Sequence, residues 1–301
     1  MTESSVVYTA ASQKGAGAVP ESTQIATHTR ASDGKVVQDV YIEGLNDQNI
    51  RDFWLEVAEG GIPGYSLVHK FGASAAIGTS LAPVCLANSY PTPTSAAALE
   101  FVSDSVNDTA AGSGAREVTV IGLDANWAEV SQTVTTNGTS AVALGTNLLR
   151  LYRWYVSSSG TYATSATASH AGTLTIRAAG GGATWSKITV SPFPMGQSQI
   201  GVYTIPLGKT AYIIGGHVYV SSTKAVDVLI FQRPNANDVT APYSGGMRLV
   251  SQWAGVTGYI PIEPAAPRGR FVGPCDIGFM GKTATGTGSA TVELVLVMEN
   301  T

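Results

Sequence analysis

The sequence predicts an all-β protein: one or two antiparallel β-sandwich or jelly-roll-like domains, with an extended N-terminal arm and one short helix. Three observations predict this. From Gly114 to Val142, Val118, Val120, Val130 and Val134 alternate with Thr119, Ser131, Thr133 and Thr135. That is the period of two of a sheet with one dry face and one wet one. Charged residues are only 13% of the 301, about half the usual share, while the chain holds 28 Ser, 32 Thr and 34 Gly. Thr suits the wet face of strands and Gly suits turns. Finally, about a dozen short apolar runs separated by turn residues point to sandwiches or jelly rolls, not to a parallel sheet.

Four segments follow. Residues 1–45 are polar, with no lasting periodicity, and read as an arm; Ser4 to Tyr8 and Val36 to Ile42 can each form a strand on some surface. Residues 46–93 hold a helix and a connection. The helix is expected over Asn46 to Glu59, capped by Asn46 or Asp47 and ended by Gly60-Gly61. Ile50, Phe53, Trp54 and Val57 make one apolar stripe, which either packs on the chain's own sandwich or docks into a neighbouring subunit.

Residues 94–193 form a first sandwich. Leu99 to Ser103 is a strand, and Asp124 to Trp127 is a polar turn carrying one large side chain. Asn137-Gly138 is a hairpin signal, because both residues tolerate positive φ. Thr146 to Val156 is a longer strand. Leu149 and Leu151 take one face; Arg150, Tyr152 and Trp154 take the other. The second face is either covered within the chain or a subunit contact, since Arg, Tyr and Trp dominate interface hot spots.

Residues 194–301 form a second sandwich. Ile200 to Ser221 reads as a hairpin, with a type I turn that has Pro206 at its second position and Gly208 closing it, and a bulge at Gly215-Gly216. Val226 to Arg233, Met247 to Ala254, Gly258 to Ile262 and Ala290 to Met298 are further strands.

Net charge is −4 and the 17 basic residues are scattered, so direct nucleic-acid binding is not expected. There is no apolar run of 18 residues and no signal-type apolar core at the start, so neither a membrane span nor general secretion is expected. Phosphate-loop, dinucleotide-binding and nucleophile-elbow motifs are absent, and His28, His69, His170 and His217 lack metal-ligand spacing. No catalytic residue, cofactor or metal is assigned. Two minor alternatives remain: Asp104, Asp108 and Asp124 around a calcium ion, and a carbohydrate groove lined by Trp127, Trp154 and Trp185. Cys85 and Cys275 are expected to be buried thiols.

The runs GIPGYSLVHKFG, GAREVTVIGLDANWAEVSQTVTTNG and YTIPLGKTAYI, taken in this order, resemble a family of virion structural proteins of tailed phages, especially marine ones. The matching positions are Lys70 to Gly72, Gly122 to Val130, Asn137 to Thr139, Arg150 to Arg153 and Thr204 to Tyr212. The resemblance spans roughly residues 60 to 300. It departs at Ala73-Ser74-Ala75, where that family is more polar. It implies a role in virion assembly without a fixed location.

The expected protein is therefore a non-enzymatic virion component, a capsid decoration or cement protein attached through its N-terminal segment. Its partners would be the major capsid protein or tail proteins and further copies of itself. Ile50, Phe53, Trp54, Val57, Arg150, Tyr152 and Trp154 are the interface candidates. A tail or fibre adaptor or receptor binder, with tips at Asn235 to Gly246 and Ser157 to Ala171, is the first alternative. A carbohydrate-binding sandwich is the second.

Overall fold

A computed structural model describes residues 25–29, 36–40, 53–162, 169–221, 223–263 and 267–301. The chain divides into two units, Met1–Ile62 and Pro63–Thr301. In the first, β1 (Ile25–Thr29) pairs antiparallel with β2 (Val36–Val40). The helix α1 covers Phe53–Ala58. Gly60, at φ 76°, ends it, and the Gly61 amide donates back to the Glu56 carbonyl at 2.8 Å. The expected caps Asn46 and Asp47, the stripe residue Ile50 and the strand Ser4 to Tyr8 lie outside the described residues.

The second unit is all β and antiparallel. Its strands are β3 (Tyr65–Ile77), β4 (Ala82–Pro83), β5 (Leu99–Ser103), β6 (Ala115–Leu123), β7 (Glu129–Thr135), β8 (Val142–Ala143), β9 (Arg150–Ser159), β10 (Leu174–Ala178) and β11 (Thr184–Ile188). They continue with β12 (Val202–Ile205), β13 (Lys209–Val220), β14 (Val226–Arg233), β15 (Arg248–Val256), β16 (Gly258–Ile262), β17 (Arg268–Val272), β18 (Cys275–Lys282) and β19 (Gly288–Asn300). They make two sandwiches. The larger packs the sheet β12-β18-β14-β15, with β4 beside β18, on the sheet β16-β13-β19-β3, with β17 beside β13. The smaller packs β11-β10-β5-β8 on β7-β6-β9. The chain starts the larger sandwich, builds the smaller from β5 to β11, and returns. The long ladder between β3 and β19 closes it.

The stretch from Gly64 to Asn88, read as a connection, supplies β3 and β4. The run Ile200 to Ser221 is not a ladder hairpin: β12 pairs with β18 and β13 with β19, so the chain arches from one sheet to the other. Its turn is one residue later than expected and of type II: the Lys209 amide donates to the Pro206 carbonyl at 3.3 Å, with Gly208 at φ 76°. Asn137-Gly138 likewise marks a change of sheet, from β7 to β8, because Gly138 is tied instead to the Asp108 carbonyl and to the Ser103 amide. The expected bulge in β13 is present as a register shift between Ile213 and Gly215.

The β6–β7 hairpin matches its reading. Asp124 Oδ1 accepts from the amides of Asn126 at 2.8 Å and Ala128 at 3.1 Å, which holds Trp127 at φ 61° with its ring almost buried. Cys85 and Cys275 are free, buried thiols. No helix among the described residues is long and apolar enough to cross a membrane.

Candidate functional site

The interface residues expected on β9 are interior. Arg150 is 1% exposed, Tyr152 4% and Trp154 0%. Their reading as a subunit contact is corrected, and the reason is a bulge. Val120 faces Trp154 and Ile121 faces Arg153, but Gly122 faces Leu151, so Tyr152 is an extra residue in the ladder. The bulge breaks the period of two. Trp154 and Leu151 enter the core of the smaller sandwich, whereas Tyr152 and Leu149 enter that of the larger. Gly122 makes room for it: a Cβ there would lie 2.2 Å from the Arg150 carbonyl oxygen.

Arg150 joins the two sandwiches. Its Nε and Nη2 donate to Asp276 Oδ1 and Oδ2 at 2.9 and 3.1 Å, and Nη1 donates to the Leu149 carbonyl at 2.8 Å. Its guanidinium lies 4.9 Å from the centre of the Trp127 ring. Thr204 donates to the same Asp276 Oδ1 at 2.6 Å, and Tyr90 and Thr204 share a hydroxyl–hydroxyl bond of 2.7 Å. Burial first, then the Asp276 carboxylate, pushes the Tyr90 hydroxyl well above its ordinary pKa. A buried bidentate pair is strong when further hydrogen bonds support it, as the Leu149 carbonyl and the Thr204 hydroxyl do here.

Beside this pin lies a cleft of about 560 Å³. Residues 67–71 of β3 make one wall; Ile121, Glu129, Tyr152, Arg153, Gln197 and Tyr203 make the other. The Lys70 ammonium, 7% exposed, donates to the Tyr152 carbonyl. Burial, and secondarily the Arg153 charge, lower its pKa to about 7. The Tyr152 hydroxyl donates to Glu129 Oε2, and the Tyr152 and Tyr203 rings meet edge to face at 4.8 Å. Both phenols are held above their ordinary range, chiefly by burial. Lys70 is absent from the interface candidates expected from the sequence. The signal was present: Val68 and Lys70 share a parity within β3, which puts Lys70 on the core-facing side. His69, on the other parity, is exposed and sits 3.1 Å from Glu293.

On α1, Val57 is 2% exposed, while Phe53, Trp54 and Leu55 are 46%, 37% and 47% exposed. The Phe53 and Trp54 rings meet edge to face at 4.8 Å. The calcium alternative fails on geometry. Asp108 is fully buried and spends its carboxylate on the amides of Ala115, Ala171 and Gly172 and the Ser103 hydroxyl. Asp104 accepts from the Thr173 amide, and Asp124 is used in its own turn. The carbohydrate groove fails too. Trp127, Trp154 and Trp185 are all buried, so their ring faces belong to the cores and not to a groove.

No protein-family model matches the chain, and no curated protein matches it. Among solved structures, the chain is similar to the infectious bursal disease virus VP2 subviral particle at 9% identity, over 78% of this chain and 76% of that one, with a TM-score of 0.18. The infectious bursal disease virus Gx strain gives 10% identity, the same shares and the same TM-score. Scores this low do not carry the fold, still less the function.

Proposed function

We propose that this chain is a non-enzymatic structural component of a tailed-phage virion, a capsid decoration or cement protein attached through its N-terminal segment. The observation that carries this reading is the contrast between the two units. The β body spends its buried charged groups Arg150, Asp108 and Glu100 on internal cross-links: Arg150 on Asp276, Asp108 on three backbone amides, Glu100 on Arg177 and the amides of Gly180 and Gly181. The Gly180 amide, then Arg177, hold the Glu100 carboxyl below its ordinary range. The N-terminal unit instead presents Phe53, Trp54 and Leu55 on one short helix. Large apolar side chains at a surface favour docking into a groove, and many copies of a modest contact hold through multivalency. The motif resemblance supplies the virion context.

Deletion of residues 1–60 tests it. Particles lacking the protein are mixed with full-length or truncated chain and sedimented. The full-length chain should co-sediment and the truncated one should stay in solution with an unchanged β-type circular dichroism spectrum. Co-sedimentation of the truncated chain would sink the proposal. A closed homo-oligomer, read by light scattering, belongs to the same reading, with its contact elsewhere than on β9.

A tail or fibre adaptor is the second reading. It is favoured by the loop between β14 and β15, where Val239, Tyr243 and the adjoining Met247 are exposed at 37%, 60% and 56%. Labelling the protein on intact particles and imaging it would separate head from tail.

A further inference from the structure

The strand β3 ends one sheet of the larger sandwich and pairs only with β19 among the described residues. Along its other edge, residues 67–71 make no backbone hydrogen bond with any described residue. These five consecutive residues, of both parities, all line the cleft. A cavity over one face of a sheet would meet every second residue, so this one opens onto the edge of the strand. The opening ends at Gly72, where a Cβ would lie 2.2 Å from the Gly201 amide nitrogen and 2.4 Å from the Val84 carbonyl oxygen. The open edge is thus roughly 16 Å long, the reach of about five extended residues. Unpaired edges of this kind are templates for a further strand.

The charge in the cleft selects among such strands. Lys70 uses one of its three donors on the Tyr152 carbonyl, and no described carboxylate is paired with it. Arg153 stands on the opposite wall, exposed, with its guanidinium 5.7 Å from the centre of the Tyr155 ring and no described ion pair. The acidic group in the cleft, Glu129, accepts from the Tyr152 hydroxyl; His69 is turned to Glu293. Lys70 and Arg153 thus share the cleft with one carboxylate, and neither makes an ion pair with a described residue.

We propose that the cleft takes up an extended peptide segment of a partner protein by strand addition to β3, with an acidic side chain of that segment seated between Lys70 and Arg153. This contact is separate from attachment through the N-terminal segment and rests on no part of it. A carboxylate arriving there favours the charged form of Lys70, whose burial alone disfavours it, so binding above neutral pH takes up a proton.

The probes are the capped pentapeptide Thr-Val-Glu-Val-Thr, its Gln counterpart, and the Glu peptide N-methylated on alternate amides along either edge. Each is titrated into the full-length protein at about pH 8, where Lys70 is mostly neutral. Calorimetry in two buffers of different ionisation enthalpy counts protons, and hydrogen exchange follows the amides of residues 66–71. The Glu peptide should slow exchange there, take up a proton, and bind about tenfold tighter than the Gln peptide. N-methylation along the edge that meets β3 should abolish both effects. Arg153→Gln, at an exposed position where folding is not at stake, should erase most of the Glu preference, as should Lys70→Met. Equal binding of the Gln peptide overturns the carboxylate seat. Equal binding of both N-methylated peptides overturns strand addition and leaves a plain anion pocket. No protection of β3 at millimolar peptide overturns the whole proposal.

Discussion

Lys70 shows what a single buried charge does to this protein. Its folded pKa is about 7 against an ordinary 10.5, so between those values the unfolded chain holds a proton that the folded chain lacks. Stability attributable to this group rises with pH across that window, and below about pH 7 the full cost remains. Lys70→Met should therefore melt higher than wild type at pH 7, by roughly 1–3 kcal/mol once the lost bond to Tyr152 is subtracted. The advantage should shrink as pH rises and reverse before pH 10.5, where only the lost bond to Tyr152 counts; a pH-independent difference between the two melting curves would contradict this. Asp276 shows the opposite case. Asp276→Asn leaves the Arg150 guanidinium buried without its anion, and should cost roughly 3–5 kcal/mol in urea denaturation. The two thiols are silent. Burial pushes Cys85 up to about 11 and Cys275 up to about 12, so neither should react with a disulfide reagent near neutral pH until the protein unfolds.

Among the elements, β9 matters most because its bulge divides one strand between two cores. Regular alternation would have put Arg150, Tyr152 and Trp154 on one face, as the residue order suggested. The extra residue at Tyr152 sends Trp154 to one core and Tyr152 to the other, and places Arg150 opposite Asp276. Gly122 is the partner that permits it. Gly122→Ala would drive a methyl group into the Arg150 carbonyl, a backbone atom with no room to move, and should destabilise by roughly 1–3 kcal/mol. Equilibrium unfolding checks this, and an unchanged midpoint would show that the bulge has slack. The arch after β12 rests on a different local fact. Gly208→Ala places a Cβ at φ 76° and should cost about 1 kcal/mol with no change in the sheets.

Across the whole molecule, the two sandwiches do not keep separate interiors. Leu123, Trp127, Leu149 and Tyr152 of the smaller one pack into the core of the larger, while Val202 and Phe231 of the larger join the core of the smaller. With Arg150 bonded to Asp276 between them, the second unit should unfold as one cooperative body. Calorimetry on the chain lacking residues 1–60 should give a single transition with matching calorimetric and van't Hoff enthalpies. Two resolved transitions would mean that the shared core residues couple the sandwiches too weakly to count.

What the amino-acid order determined alone was local. Alternation of Val with Thr and Ser marked β6 and β7, Asp124 to Trp127 marked their turn, and the scarcity of charge marked the class. Each of these depends on neighbours in the chain, which is where periodicity and turn chemistry act. Partner choice was decided only by the tertiary structure. Strand parity cannot show that β12 pairs with β18 rather than β13, that β3 meets the final strand, or that one bulge turns an aromatic face inward. These follow from backbone groups finding partners far along the chain and from two cores competing for the same side chains. Among the described residues the same long-range closure pairs β3 with β19 alone and sets Lys70 against the cleft, though these residues looked unremarkable in their own segment.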